Sequence, residues 1–253
     1  MRILYWDTFA GISGDMALGS LIALGADSEA IVEQLHSMGL TEFKLDIRSR
    51  QVQGIQATDI DVIIHDHLDK HHHADDQSEH EHHHHHDRRL PDIQKMILSG
   101  TLSERSQKNA LQVFNVLAEA EAQVHGTTLD QVHFHEVGAV DSLVDIVGTC
   151  IALDQLNIEE IRISTLPWSK GFVQCAHGTL PLPAPATLML LRGFKFRDSG
   201  ITGELITPTG AALIRALAQQ TEFPEMVIHN VGYGSGKNDY GIPSLLRGVI
   251  GEI

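Results

Sequence analysis

The stretch that decides the fold class is ILYWDTFAGISGDMALGSLIAL, residues 3–24. It opens with a short apolar run that is typical of a strand, and a glycine loop from Gly11 to Gly14 follows. From Asp15 to Leu24 the apolar residues recur at helical spacing, and Gly25 then ends the pattern. The stretch therefore predicts a strand, a loop and a helix in succession.

The same alternation of strands and helices continues through the chain. Residues 43–50 and 55–64 alternate as strands do, and Ser103–His125 has the spacing of a long helix that ends at Gly126. We expect an α/β fold of mixed strands and helices, in which residues 1–64 and 88–253 form one domain. Residues 65–87 would be a disordered, mobile insert between them.

Composition excludes several classes of partner. The chain has 253 residues, 42% of them hydrophobic, and a formal net charge of −15, which disfavours binding to nucleic acid or to anionic membranes. Two cysteines are too few for a disulfide framework, and the first residues do not read as a signal peptide. No apolar stretch reaches membrane-spanning length. We therefore expect a cytoplasmic protein.

Histidine is concentrated in the expected insert. Eleven of the 17 histidines lie in residues 65–87, together with seven acidic residues, one lysine and a single large aliphatic residue, Leu68. Such a segment buries too little apolar surface to order itself, and clustered imidazoles bind transition metals. We expect metal capture here. The alternative is a solvated acidic loop, whereas an internal run interleaved with acids does not suit an expression tag. The candidate ligands are His71, His72, His73, His82, His83, His84, His85 and His86.

A second cluster of possible ligands is HFHEVGAVDSLVDIVG, residues 133–148. If the first residues are extended, His133 and His135 lie on one face, while Asp141 and Asp145 share a helical face. The histidines are candidate metal ligands, and both aspartates, with Glu136, are candidate catalytic groups. The alternative is that these residues only bond within turns, cap helices or form salt bridges.

Two loops contain candidates for binding an anion or a cofactor. In the first loop these are Gly11, Gly14 and Asp15; in the second, TPTG, they are Thr207, Thr209 and Gly210, all at predicted helix starts. Turn geometry and helix capping explain the same residues equally well. A third stretch, GYGSGKND, lacks the glycine spacing of a phosphate loop.

Five separated motifs together resemble the LarC nickel-insertion family. They are DTFAGISGDM, HFHEVGAVDSLVDIVG, AHGTLPLPAPAT, GELITPTGAA and GYGSG, and they extend from Asp7 to Gly236. The resemblance implies a nickel chelatase, of the lyase class, that inserts nickel into pyridinium-3,5-bisthiocarboxylic acid mononucleotide and consumes CTP. The product is the nickel-pincer cofactor of lactate racemase.

The resemblance also implies partners. Members of the family continue into a carboxy-terminal region associated with CTP and a divalent cation, so we expect this chain to need that region or a partner subunit. Lactate racemase apoprotein and a second copy of the chain are further expected partners. Two alternatives remain open: a nickel storage or delivery protein that uses only the His-rich insert, and a metal-dependent hydrolase that uses the HFHE region.

Overall fold

The computed structural model describes residues 1–64, 88–132, 134, 140–175 and 178–253. The predicted His-rich insert at 65–87 lies outside these ranges, as do residues 133, 135–139 and 176–177. Among the helices in the described ranges, none combines the length and the apolar character needed to span a bilayer.

The described part contains strands and helices in alternation, as the sequence predicts. The strands are β1 (Arg2–Asp7), β2 (Phe43–Val52), β3 (Ile55–Ile64), β4 (Glu160–Ile163), β5 (Leu166–Lys170), β6 (Phe172–Cys175), β7 (Gly178–Pro181), β8 (Phe196–Thr202), β9 (Ala218–Gln220), β10 (Val227–Ser235) and β11 (Leu245–Glu252). The helices are α1 (Gly14–Ala23), α2 (Ser28–Ser37), α3 (Leu90–Ser99), α4 (Glu104–His125), α5 (Val140–Gln155), α6 (Pro185–Leu190) and α7 (Pro208–Leu217). The α/β class is therefore confirmed.

A mixed sheet of seven strands, in the order β2-β3-β10-β11-β1-β4-β9, forms the frame. β1 pairs antiparallel with β11 and parallel with β4, and β10 pairs parallel with β3. Two smaller sheets, β5-β8 and β6-β7, lie beside it. Strands from both sides of residues 65–87 thus lie in one sheet.

Helix α1 packs against the middle of this sheet and is covered by α5. Its sequence is apolar on nearly all sides, which is typical of a buried helix, and residues from Gly14 to Leu21 are almost all buried. Trp6, fully buried on β1, donates a hydrogen bond from its indole nitrogen to Ser20 Oγ at 3.1 Å. This bond joins the helix to β1.

Glycines on the strands let α1 approach the sheet closely. A Cβ added to Gly234 on β10 would lie 1.9 Å from the carbonyl oxygen of Met16, and one on Gly232 would lie 2.8 Å from that of Ser20. No larger residue fits at these positions without moving the helix. The glycines of GYGSG thus serve packing within β10.

Two local predictions differ from the structure. The apolar pattern of residues 158–166 predicts one strand, but the structure has β4 and the start of β5 there, with Ser164 and Thr165 between them. The pattern of residues 226–231 predicts a short strand, but β10 continues to Ser235, because Gly232 and Gly234, which favour a loop, are the residues that fit beneath α1. The α4 prediction is confirmed: Ser103 caps the helix and Gly126, at φ 63°, ends it.

The contact beneath α1 yields a stability prediction. Gly234→Ala should lower the free energy of unfolding by about 2–3 kcal/mol, because the new methyl group overlaps a backbone carbonyl that cannot move alone. Urea denaturation followed by circular dichroism measures this change.

Gly54→Ala is the matched control. Gly54 has a left-handed φ of 85° but no neighbour within 4 Å of an added Cβ, so only backbone strain of about 1 kcal/mol is expected. An equal or smaller loss in Gly234→Ala than in this control would contradict the close packing of α1 on β10.

Candidate functional site

The candidate site is built where the loop after β1 meets the loop before α7. Ile12 donates its N–H to the Leu205 carbonyl at 2.9 Å, and Thr207 donates its N–H to the Ile12 carbonyl at 3.2 Å. Gly11 has a φ of 99°, and an added Cβ would lie 1.8 Å from the Leu205 oxygen. A Cβ added to Gly210 would lie 2.4 Å from the Ile12 oxygen in the same way. These glycines let the two loops pair.

A pair of carboxylates lies at the start of α1. Gly14 has no side chain, so the carboxylate of Asp145 from α5 fits against it, where an added Cβ would lie 2.6 Å from Oδ2. The backbone N–H of Asp15 donates a hydrogen bond to Asp145. The other oxygen, Asp145 Oδ1, is buried and has no hydrogen-bond partner among the described residues. Asp15 and Asp145, far apart in sequence, therefore meet.

Both carboxyl groups resist ionisation. Burial raises the pKa of Asp15 above its ordinary value, although hydrogen bonds from Ser13 and Met16 oppose the shift. Burial also raises the pKa of Asp145 well above its ordinary value, and the negative charges of Asp15 and Asp141 raise it further. Two acids that are poorly hydrated and repel each other favour a bound cation, which is either a proton or a metal ion.

Lys237 lies beside the pair but is fully engaged elsewhere. Its Nζ lies 2.9 Å from Asp59 Oδ1 and 2.8 Å from Asp61 Oδ1, and donates to the Ile60 carbonyl at 2.7 Å. An ammonium group has three donors, and all three are used. Its positive charge lowers the pKa of Asp15 and Asp145 only as a smaller effect.

Asp59 is the buried centre of this ion network. Burial alone would raise its pKa, but hydrogen bonds from Lys237 and Ser235 and the nearby charge of Arg50 outweigh it, so the pKa is lowered. Arg48 is a further partner, at 3.4 Å. Asp59 is absent from the candidates predicted from the sequence. The only sequence signal for Asp59 is that this acid on β3 lies opposite a basic residue, Arg48, when β2 and β3 pair as antiparallel strands.

A cavity of about 150 Å³ opens beside Asp15. Three loops contribute to it, those that follow β1, β8 and β10. Its polar and aromatic lining residues are Ser13, Asp15, Glu204, Thr207, Lys237, Asn238, Tyr240 and Ser244. Tyr240 is held in place because its hydroxyl donates to the Glu204 carbonyl at 2.7 Å and accepts from Asn238 at 3.0 Å. The cavity thus joins a carboxylate, an aromatic ring and amide and hydroxyl groups.

The remaining candidates are placed as follows. Thr207 caps α7, accepting the Gly210 N–H at 3.3 Å, and its hydroxyl lies 2.9 Å from that of Thr209. Asp141 is exposed at the start of α5. Asp7, in the first of the five motifs, forms an ion pair with Arg247.

Several candidate ligands lie outside the described residues. They are His133, His135, Glu136 and the histidines of the 65–87 segment. Within the described ranges no three His, Cys, Asp or Glu side chains are grouped closely enough to hold a metal ion. The Asp15–Asp145 pair supplies two potential ligands in that part of the chain.

Curated relatives match the chain along its whole length. It is 42% identical over 255 residues to the pyridinium-3,5-bisthiocarboxylic acid mononucleotide nickel insertion protein of Desulfitobacterium hafniense (strain DSM 10664 / DCB-2), covering 100% of this chain and 59% of that protein. Proteins of the same name from Staphylococcus epidermidis (strain ATCC 12228 / FDA PCI 1200) and Clostridium acetobutylicum are 40% and 42% identical, covering 97% and 100% of this chain and 58% and 64% of theirs. No solved structure matches.

The chain thus spans about three fifths of the length of these relatives. The family profile described as "Nickel insertion protein" matches residues 4–253, which is nearly every residue. The chain therefore belongs to the nickel insertion protein family.

Proposed function

We propose that this chain holds and transfers nickel in the insertion of the metal into pyridinium-3,5-bisthiocarboxylic acid mononucleotide. The observation that carries the proposal is the buried Oδ1 of Asp145, beside Asp15, which has no hydrogen-bond partner among the residues that the structure describes. Asp15 also lines the cavity, so a cation held by the pair would be next to a space that a ligand can enter. Nickel is the cargo of this reaction.

The chemistry of the ligands gives the transfer a direction. Nickel, a later transition metal, binds imidazole nitrogen and sulfur more strongly than it binds carboxylate oxygen. Nickel held by Asp15 and Asp145 would therefore be surrendered to the two sulfur-containing groups of the substrate. A carboxylate that has lost its metal can then accept a proton that the substrate releases.

Other candidates complete the proposal. His133 and His135 would present nickel near the pair, with Glu136 and Asp141 as further acid or base groups. Backbone and hydroxyl groups of the two loops, at Gly11, Gly14, Thr207, Thr209 and Gly210, would contact the substrate. We propose that the enzyme is a lyase-class chelatase of the cytoplasm.

The proposed partners follow the sequence resemblance. CTP and its divalent cation would act through the part of the full-length relatives that this chain does not cover. Lactate racemase apoprotein would receive the finished cofactor.

Removing one carboxylate tests the proposal. Asp145→Asn should lower the rate of nickel insertion at least tenfold at saturating nickel, because the amide keeps the size of the side chain but loses its negative charge. The assay mixes the protein, joined to the family's carboxy-terminal portion, with nickel, CTP, magnesium and the mononucleotide. Mass spectrometry counts the nickel-containing product.

Asp154→Asn is the matched control for the insertion assay. It removes a carboxylate from the same helix. Asp154 Oδ1 lies 3.7 Å from Arg105 Nη1, and Asp154 does not line the cavity beside Asp15. Its insertion rate should stay within about twofold of the original. Equal rates for Asp145→Asn and the original chain would refute a role of the pair in nickel transfer.

The same substitution should stabilise the metal-free protein. The pKa of Asp145 is raised in the folded state, so ionisation costs stability as the pH rises from the pKa of an unfolded aspartate toward the folded value. Asp145→Asn should therefore raise the Tm at pH 8 and leave it nearly unchanged at pH 4. Differential scanning calorimetry in a chelator measures both. A lower Tm of the variant at pH 8 would mean that the ionised Asp145 carboxylate stabilises the fold, contrary to its raised pKa.

The His-rich segment is proposed to collect nickel without forming the insertion centre. Replacing its eleven histidines by glutamine keeps the acidic residues and should reduce the number of nickel ions bound per chain in equilibrium dialysis. Insertion at saturating nickel should remain measurable. Complete loss of insertion in a variant that melts like the original would instead place the insertion centre in this segment.

A further inference from the structure

A second cavity adjoins the one beside Asp15. It measures about 180 Å³, and Gly236, Asn238 and Ser244 line both cavities. Each cavity alone is smaller than a typical ligand pocket of about 300–1,000 Å³, whereas the two together reach the lower end of that range. The two cavities thus suit one elongated ligand that occupies both and lies along the residues they share.

The two cavities differ in chemistry. The first is lined by the acids Asp15 and Glu204 and by the ring of Tyr240, a combination that attracts a flat cation. Lys237 also lines it, but its ammonium group is bound to Asp59, Asp61 and the Ile60 carbonyl. The second is lined by Arg50 and by the amides of Gln51, Gln53 and Asn238, which suit an anion with several oxygens. One acid, Asp239, also lines it, and its Oδ1 accepts the N–H of Gly241 at 2.9 Å.

Arg50 is available to a ligand although it belongs to the ion network of Asp59. Its Nη1 lies 3.6 Å from Asp59 Oδ1 and donates to the Gly236 carbonyl at 3.1 Å, and 40% of its side chain is exposed. Asp59 is shared with Lys237 and Arg48, both of which lie closer to it. The guanidinium of Arg50 is therefore only partly neutralised, and its remaining donors can bind oxygen atoms.

We propose that the two cavities form one mononucleotide site, in which Arg50 binds the phosphate and the cavity beside Asp15 and Tyr240 takes the positively charged pyridinium ring. This inference rests on the proposed function, since it assigns the organic substrate of the same reaction to the space beside the carboxylate pair. The ring would then lie where nickel leaves Asp15, and the phosphate would fix its orientation.

The test measures binding without nickel or CTP. Nicotinic acid mononucleotide, which has a pyridinium ring, one carboxylate and a 5′-phosphate, is titrated into the full chain by calorimetry. Its riboside, which lacks only the phosphate, is the second probe. The original chain should bind the mononucleotide more tightly than the riboside.

Three variants separate the two ends of the site. Arg50→Gln should weaken binding of the mononucleotide at least tenfold and leave the riboside unchanged, because only the phosphate contact is lost. Arg50→Lys should lose less, since it keeps the charge and the pair with Asp59. Tyr240→Leu should weaken both probes equally.

Arg48→Gln is the matched control. Arg48 lies two residues earlier on β2 and contacts Asp46, Asp59 and Asp61, but it lines neither cavity. Both probes should bind this variant within about twofold of the original.

The proposal is overturned if the original chain binds neither probe, or if Arg50→Gln changes the two probes equally. It is also overturned if Arg48→Gln loses as much as Arg50→Gln. Should Arg50→Gln not fold, Arg50→Lys decides the question by whether its loss is confined to the mononucleotide. None of these results depends on nickel, so they are independent of the Asp145→Asn insertion assay that tests the proposed function.

Discussion

The candidate site depends on one unfavourable contact, the placement of the Asp145 carboxylate against Gly14 and beside Asp15. Two acids that lose water and repel each other cost free energy in the absence of a cation. The surrounding structure tolerates this cost because α1 is fixed elsewhere, by Trp6 on one side and by the close contact with Gly234 on the other. The contacts that fix α1 thus keep the two acids next to each other.

Among the residues that the structure describes, no basic side chain forms an ion pair with Asp15 or Asp145. Lys237 influences both acids, yet its three donors are bound to Asp59, Asp61 and the Ile60 carbonyl. Its charge therefore acts only at a distance. Asp145 Oδ1 is therefore left without a hydrogen-bond partner in the described ranges. A site that takes up and releases a metal ion requires such a free oxygen.

Much of the local structure could be predicted from the sequence. The strand, loop and helix of residues 3–24, the Ser103 cap of α4 and the Thr207 cap of α7 follow from patterns that act over a few residues. The Asp15–Asp145 pair could not be predicted in this way, since local spacing relates Asp145 only to Asp141.

Long-range packing also explains the features that local patterns do not reveal. Gly232 and Gly234 of the GYGSG motif favour a loop when they are considered alone, but in the fold they are the strand positions on which α1 rests. Asp59 alternates with apolar residues like any solvent-facing strand position, yet it is buried by three basic side chains from β2 and from the segment after β10. Neither role is visible until the strands are placed side by side.

The most direct test of the central claim is anomalous diffraction at the nickel edge from crystals soaked in nickel. If the carboxylate pair holds the metal, a nickel peak should lie about 2.0–2.2 Å from carboxylate oxygens of both Asp15 and Asp145, the range that carboxylate–zinc bonds have. Nickel peaks confined to other parts of the chain, with the pair empty at saturating nickel, would contradict it.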